Sequence, residues 1–255
     1  MSFSEKLVLI TGAGAGIGLA TAKAFAAAGA NLAMVDLNET ALREAAEQVG
    51  GDPLTIAADV TDEAQVRDFV ERAAARTGRI DAFINNAGIN GDFANIPDQS
   101  VLNWRAVLEV NVIGAFLGLK HVLPVMYAQG SGAVVNMASN GGLLGAPGMS
   151  AYVASKHAVI GLNKSAALEA APHGVRVNAI CPSGVDTQMM RRIEHNAMAG
   201  HEAEARAAFE AAVPLKRYAE ATEIADLAVF LASGKASFIT GAYYRIDGGG
   251  GAISA

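Results

Sequence analysis

Short, almost wholly apolar runs alternate with longer amphipathic ones along nearly the whole chain. Residues 6–11 (KLVLIT) form the first apolar run; glycines follow, then a helical stretch over 17–28 that Gly29 ends as a left-handed cap would. A second strand is predicted over 31–36 and a helix over 40–48. A third strand over 54–58 leads to a helix that Thr61 caps, with Asp62 and Glu63 in its first turn, where the macrodipole favours negative charge. The pattern continues with strands over 80–85, 133–139, 175–181 and 243–246, and helices over 101–127, 150–171 and 222–232. Strands that are apolar throughout suit a parallel sheet covered on both faces, and the alternation predicts βαβ units in an α/β, doubly wound parallel sheet of about seven strands.

One stretch breaks this rhythm. Between Pro182 and Pro214 the chain carries Met189, Met190, Arg191, Arg192, His195, Ala197 and Phe209 at helical spacing, with no strand. Two readings stand: an extra surface helix pair, or a small helical lid over a pocket, spanning about residues 183–214. No linker, repeat or low-complexity tract interrupts the rest, so residues 1–255 read as one domain.

Composition narrows the function classes. Hydrophobic residues make up 52% and charged residues 17%, which is too much core material and too little charge for a disordered chain. The net charge is −6 and no basic run interrupts it, so no nucleic-acid partner is expected; a phosphate-backbone binder clusters Lys and Arg to displace counterions. The single cysteine, Cys181, has no internal partner, which fits a reducing, cytoplasmic setting. The apolar run over 7–10 is too short for a signal-peptide core. Residues 121–155 lack Asp, Glu, Lys and Arg, yet Pro124, Pro147 and six glycines break them, so no membrane span is expected there.

After the first strand the chain reads Thr11-Gly12-Ala13-Gly14-Ala15-Gly16-Ile17-Gly18. Missing side chains in such a turn let the backbone approach a pyrophosphate, and the helix that follows offers its free N–H groups to it. Asp36 ends the second strand, twenty residues after Gly16. A carboxylate there accepts hydrogen bonds from ribose hydroxyls and repels a 2′-phosphate, and neither Ala15 nor Leu37 supplies a compensating positive charge. The cofactor implied is NAD rather than NADP, on a Rossmann-type sheet.

Tyr152 and Lys156 stand at i and i+4, on one face of a helix. A cation close to a phenol favours its ionised form, which makes the pair a candidate general acid/base. Ser139, thirteen residues upstream at a strand end, could hydrogen-bond a substrate oxygen between them.

The glycine turn, Asn85-Asn86-Ala87-Gly88 after the fourth strand, Asn111 within Val110-Asn111-Val112, Ser139, and Tyr152 with Lys156 occur in that order. Asp59-Val60 and Ile246-Asp247-Gly248-Gly249 extend the pattern. The chain closely resembles the short-chain dehydrogenase/reductase family over essentially its whole length. The resemblance implies that Tyr152 exchanges a proton with the substrate oxygen, that Lys156 depresses its pKa and holds the nicotinamide ribose, and that Ser139 orients the substrate. It implies that Asn111 anchors a water in a relay to Lys156. It places Gly12, Gly16, Ile17, Gly18 and Asp36 around the dinucleotide, Asp59 and Val60 at the adenine, and Asn86, Ala87 and Gly88 on the adenine-ribose side. Pro182, Gly184, Val185 and Thr187 then face the nicotinamide. Ser183 departs from the family's Pro-Gly, which puts the local loop geometry in question.

Substrate-facing positions expected by the same analogy are Asn90, Asn140, Leu143, Met149, Val185 and Met189, mostly apolar, with Met149 and Met189 equally readable as core. Arg191 and Arg192 read as a solvated helix face or as an anchor for an anionic substrate group. The histidines show no metal-ligand spacing, so no metal is expected. The expectation is an NAD-dependent enzyme that interconverts a secondary alcohol and a ketone on a small, mainly apolar substrate. A β-ketoacyl thioester reductase and a non-catalytic NAD-binding regulator are the alternatives. The apolar excess of the two long helices adds a homotetramer.

Overall fold

The computed structural model describes residues 1–252. Its centre is a seven-stranded parallel sheet in the order β3-β2-β1-β4-β5-β6-β7. The strands are β1 Leu7–Thr11, β2 Asn31–Asp36, β3 Leu54–Ala57, β4 Ala82–Asn85, β5 Gly132–Met137, β6 Val175–Pro182 and β7 Tyr243–Ile246. Helices α1 Gly16–Ala27, α2 Glu39–Val49, α3 Glu63–Thr77, α4 Val101–Leu108, α5 Ala115–Gln129, α6 Ser150–Ala170, α7 Gln188–Ala197, α8 Glu202–Ala212 and α9 Ala221–Ala232 complete it.

Successive side chains of a strand point to opposite faces, so each apolar strand feeds two cores. Leu7 and Leu9 of β1 pack with Phe69, Phe83, Val122 and Met126 beneath α3, α5 and α6. Val8 and Ile10 pack on the other face with Phe25, Met34, Leu42 and Ile224 beneath α1, α2 and α9. Each such side chain contributes about 1.5–3 kcal/mol by leaving water. Strand order reverses direction between β1 and β4, and the crevice beyond the strand ends at that switch is where such sheets take ligands.

Two local expectations change. The α3 cap is Asp62, not Thr61: the Asp62 carboxylate accepts the N–H groups of Ala64 at 2.8 Å and Gln65 at 3.3 Å. Thr61 is drawn away, donating its hydroxyl to Asp59 at 2.8 Å. The helix expected over 101–127 is a continuous run, Val101–Gln129, but a π-helical turn over Glu109–Gly114 interrupts its α geometry and carries Asn111. This run is long and apolar enough to cross a membrane, yet 50% of its most apolar stretch is buried in the fold, with Leu117, Val122 and Met126 against the sheet. Gly29 follows α1 at φ +88°, as its predicted left-handed role requires.

Candidate active site

The glycine turn is held rigidly from behind. Asn86 donates through Nδ2 to the carbonyls of Thr11 at 3.0 Å and Gly12 at 3.1 Å, while the Thr11 hydroxyl accepts the N–H groups of Asn86 and Ala87. Gly12 and Gly16 adopt φ +65° and +53°, the left-handed region that favours glycine. A Cβ on Gly14 would stand 2.9 Å from the Asp36 carboxylate, and one on Gly18 would stand 1.9 Å from the Gly12 carbonyl. Gly18 therefore serves close packing of helix on turn. A cleft of about 330 Å³ opens over this turn, lined by Gly12, Gly16, Ile17, Asp36, Ala87 and Gly88 among others. A smaller cavity of about 190 Å³ beside it brings Asp36, Asp59 and Val60 together.

A second cavity, of about 320 Å³, adjoins the cleft and brings Ser139, Tyr152 and Lys156 together with Pro182, Gly184 and Thr187. Strand β5 delivers Ser139 at its end, and α6 presents Tyr152 and Lys156 one turn apart. Lys156 is 5% exposed, and its ammonium donates to the Met137 carbonyl at 2.9 Å while lying 5.6 Å from the centroid of the Tyr152 ring. Burial pushes the ammonium down to about 8. Burial likewise pushes the Tyr152 phenol above its ordinary value, with the Ser139 hydroxyl pulling the other way. Desolvation of the phenol is the largest effect and acts against the depression by Lys156 that the family resemblance implies.

Asn111 is committed to framing the site. Its side chain accepts the Ile89 N–H at 2.8 Å and donates to the Ile89 carbonyl at 2.8 Å and to Ser155 Oγ at 2.9 Å. A Cβ on Gly88 would lie 3.1 Å from Asn111 Oδ1 and 3.4 Å from Lys156 Nζ, so these three residues share one corner.

The remaining wall is largely apolar and comes from α7, α8 and the segments around them. Met149, Val185 and Met189 line it as expected. Asn90 lines the neighbouring cleft instead, with its Nδ2 buried and unpartnered. Asn140 and Leu143 lie outside the cavity lining: Asn140 donates to the Asp247 carboxylate at 3.2 Å, and Leu143 packs on the cluster of Ala138, Val159 and Ile160. Sequence reasoning named Phe209 only within the lid stretch and missed Val153, Ile193, Val213 and Tyr218. The Met189–Ile193 spacing carried a helical signal, whereas Tyr218 lies between α8 and α9 and carried none. Ser183 is accommodated without left-handed backbone, its N–H donating to the Ile246 carbonyl at 3.2 Å. The demand for glycine falls at Gly184, where a Cβ would lie 2.8 Å from the Tyr218 ring.

The family model described as "Enoyl-(Acyl carrier protein) reductase" matches residues 12–250. Levodione reductase of Leifsonia aquatica is 41% identical over 252 residues, covering 97% of this chain and 94% of the relative. A crystal structure of levodione reductase superposes with a TM-score of 0.97, covering 99% of this chain and all of the other. Cis-4-hydroxycyclohexanecarboxylate dehydrogenase of Sinomonas cyclohexanicum is 39% identical, covering 97% of both chains. The crystal structure of NAD+-bound xylitol dehydrogenase is 37% identical with a TM-score of 0.94, covering 98% of this chain and all of that one. With the sheet order, the glycine turn and the Ser139–Tyr152–Lys156 corner in place, this chain belongs to the short-chain dehydrogenase/reductase family.

Proposed function

We propose that the chain is an NAD(H)-dependent oxidoreductase that interconverts a secondary alcohol and a ketone on a small, mainly apolar substrate. The observation that carries this reading is the joining of two spaces: the glycine-turn cleft with Asp36, and the cavity holding Ser139, Tyr152 and Lys156.

The cleft fits a dinucleotide. At Gly12 a Cβ would press on Ala87 at 3.0 Å, and at Gly14 on Asp36, so backbone alone forms the floor. Gly12, Gly16 and Ile17 would hold the pyrophosphate at the start of α1, Asp36 the adenosine ribose, and Asp59 and Val60 the adenine. Asn86, Ala87 and Gly88 line the ribose side; Pro182, Gly184, Val185 and Thr187 face the reacting end. The bound NAD would supply the hydride acceptor or donor.

Within the cavity, Tyr152 gives its phenolic proton to a ketone oxygen, or takes the hydroxyl proton of an alcohol as phenolate. Ser139 hydrogen-bonds the same oxygen. Lys156 holds positive charge beside the phenol ring, and Asn111 frames the path toward it. The wall of Met149, Met189, Ile193, Phe209 and Val213 suits a ring alcohol or ketone without charge at that end. The relative named for a hydroxycyclohexanecarboxylate supports a ring substrate. A carrier-bound β-ketoacyl thioester fits less well, since Asp36 disfavours NADP and the lid helices roof the cavity with apolar side chains. The intact Tyr152 and Lys156 speak against a non-catalytic regulator. A cytoplasmic homotetramer completes the reading; exposed Ile113 and Phe116 on the helical run through the π turn, with exposed Leu168 on α6, support the assembly.

The test is absorbance at the NADH band with NAD+ and a panel of cyclic secondary alcohols, run beside Tyr152→Phe. Turnover that survives in the variant overturns the catalytic assignment. A protein that fails to bind NADH in a fluorescence titration overturns the cofactor reading.

A further inference from the structure

One carboxylate, that of Asp186, contacts both lid helices. Asp186 lies between Val185 and Thr187, in the loop that leaves β6 for α7. Its Oδ1 is paired with Arg191 of α7, and its Oδ2 accepts from Arg206 Nη2 of α8 at 2.8 Å. Both arginines have second acid partners. Arg191 donates through Nη1 to both oxygens of Glu194 at 2.6 and 2.8 Å, and Glu194 is 2% exposed; Arg206 donates through Nε to Glu210 at 2.8 Å. The ring of Tyr218, 3% exposed and part of the cavity wall, lies 5.2 Å from the Arg206 guanidinium carbon and 6.0 Å from that of Arg191. The loop backbone is held as well: Asp186 N–H donates to the Ala219 carbonyl at 2.9 Å, and Ala219 N–H donates to the Gly184 carbonyl at 2.9 Å.

This arrangement divides α7 by face. Met189, Met190 and Ile193 look into the substrate cavity, while Arg191 and Glu194 turn to the ionic node. Phe209 and Val213, on and just beyond α8, complete the apolar wall, and Arg206 on the same helix joins the node. A single exposed ion pair contributes little, but five charged groups sharing forked contacts around one buried ring form a network whose geometry is set. We propose that Asp186, through Arg191 and Arg206, is the positioning residue that holds α7 and α8 against the cavity and so sets its apolar wall for substrate. This rests on the oxidoreductase reading for its kinetic consequence, but the mechanical claim stands apart from turnover.

The experiment uses Arg206→Met, which keeps an apolar stem beside Tyr218, and Asp186→Asn, which keeps the shape of the loop. Arg72→Ala, at an exposed pair with Asp68, serves as control. Hydrogen exchange over residues 188–213 reads the lid directly, in the full chain and without substrate. Both node variants are expected to lose protection there and the control to keep it. In turnover, a lid in place a tenth of the time raises the KM of an apolar alcohol about tenfold, with kcat within about twofold of wild type. The double variant is expected to add little to either single one, because both break the same node. Unchanged exchange over 188–213 in both variants overturns the proposal, whatever the activity. Lost protection with an unchanged KM overturns the claim on the substrate wall. Absence of any turnover in wild type counts against the oxidoreductase reading, and the exchange result still decides the node.

Discussion

The Gly14 N–H donates to Oδ2 of Asp36 at 2.9 Å, tying the glycine turn to the acid at the end of the second strand. The other carboxylate oxygen accepts from the Asn38 N–H at 3.0 Å, so the charge is held in place by backbone donors on both sides. A 2′-phosphate on the adenosine ribose would meet a carboxylate that cannot swing away. Juxtaposed like charges cost several kcal/mol, so NADH is expected to bind about 100-fold tighter than NADPH. Asp36→Asn should bring the two within about tenfold of one another, mainly by improving NADPH. Fluorescence titration of both nucleotides decides it; a wild type that prefers NADPH refutes the role given to Asp36.

The buried pair at the reacting corner predicts direction-dependent pH profiles. The phenol of Tyr152 is raised by burial, so its proton is present throughout the neutral range and is available for ketone reduction. Alcohol oxidation requires phenolate and should gain about tenfold in kcat/KM per pH unit on the rising limb. That gain should flatten above about 8, where Lys156 loses the charge that favours phenolate. Tyr152→Phe is expected to lose about 10²–10⁴-fold in both directions. A pH-independent oxidation rate would contradict the assignment of Tyr152 as base.

Lys156 also leaves a signature in stability. Its folded value is about 8 against an ordinary 10.5, so between those pH values the unfolded chain binds the extra proton. Stability contributed by this group therefore rises with pH across that window, and below it the folded state carries the cost of a buried charge. Raised groups such as Cys181, pushed up to about 11, act in the opposite sense, so the difference between two proteins is the cleaner quantity. Lys156→Met is expected to unfold at higher denaturant than wild type near pH 7, with the gap narrowing from pH 8 upward. Parallel curves would mean that the ammonium is solvated.

Much of this was legible in the sequence because it rests on local physics. Apolar runs read as buried parallel strands, and Tyr152 and Lys156 share a face through helix periodicity alone. The misses arise from contacts between distant segments. Asp62 outcompetes Thr61 as a cap because Asp59 captures the Thr61 hydroxyl, and nothing in local propensity weighs those two bonds. Tyr218 reaches the cavity because Gly184 leaves room for its ring, 34 residues away in sequence. Leu143 looked substrate-facing by position, but the short 3₁₀ turn over Asn140–Gly142 carries it onto α6.

A chain of buried asparagines was equally invisible and carries its own prediction. Asn85 of β4 donates to Asn136 Oδ1 at 3.0 Å, Asn136 of β5 donates to Asn163 Oδ1 of α6 at 3.1 Å, and Asn163 donates to the Ala242 carbonyl at 3.3 Å. Asn136 and Asn163 are essentially inaccessible to water. Removing the middle member strands the Asn163 carbonyl oxygen in the core and leaves a small void. Asn136→Ala is expected to cost about 3 kcal/mol, seen as a fall in Tm of roughly 6–12 °C for a chain of this size. A change below about 0.5 kcal/mol, the range of a surface substitution, would mean that the ladder is dispensable.

The proposed homotetramer makes the last prediction. Phe116 is 44% exposed, Ile113 39% and Leu168 79%, all on the two long helical segments that cover one sheet face, while the inner sides of these helices are packed against the strands. Apolar side chains standing outward from helices that already have a buried face suit a partner surface; a second copy offering the same pair of helices in self-complementary form closes a dimer, and a tetramer takes a second such face. Light scattering after gel filtration is expected to give four times 26.1 kDa. Placing a charge on that face, by Phe116→Asp, should shift the population to smaller species at micromolar protein while leaving the circular dichroism of each chain unchanged. Wild type running as a single 26.1 kDa species would refute the assembly. A tetramer that survives both Phe116→Asp and Leu168→Asp would move the interface elsewhere, with exposed Phe238 and Tyr243 near the outer edge of the sheet as the next surface to probe.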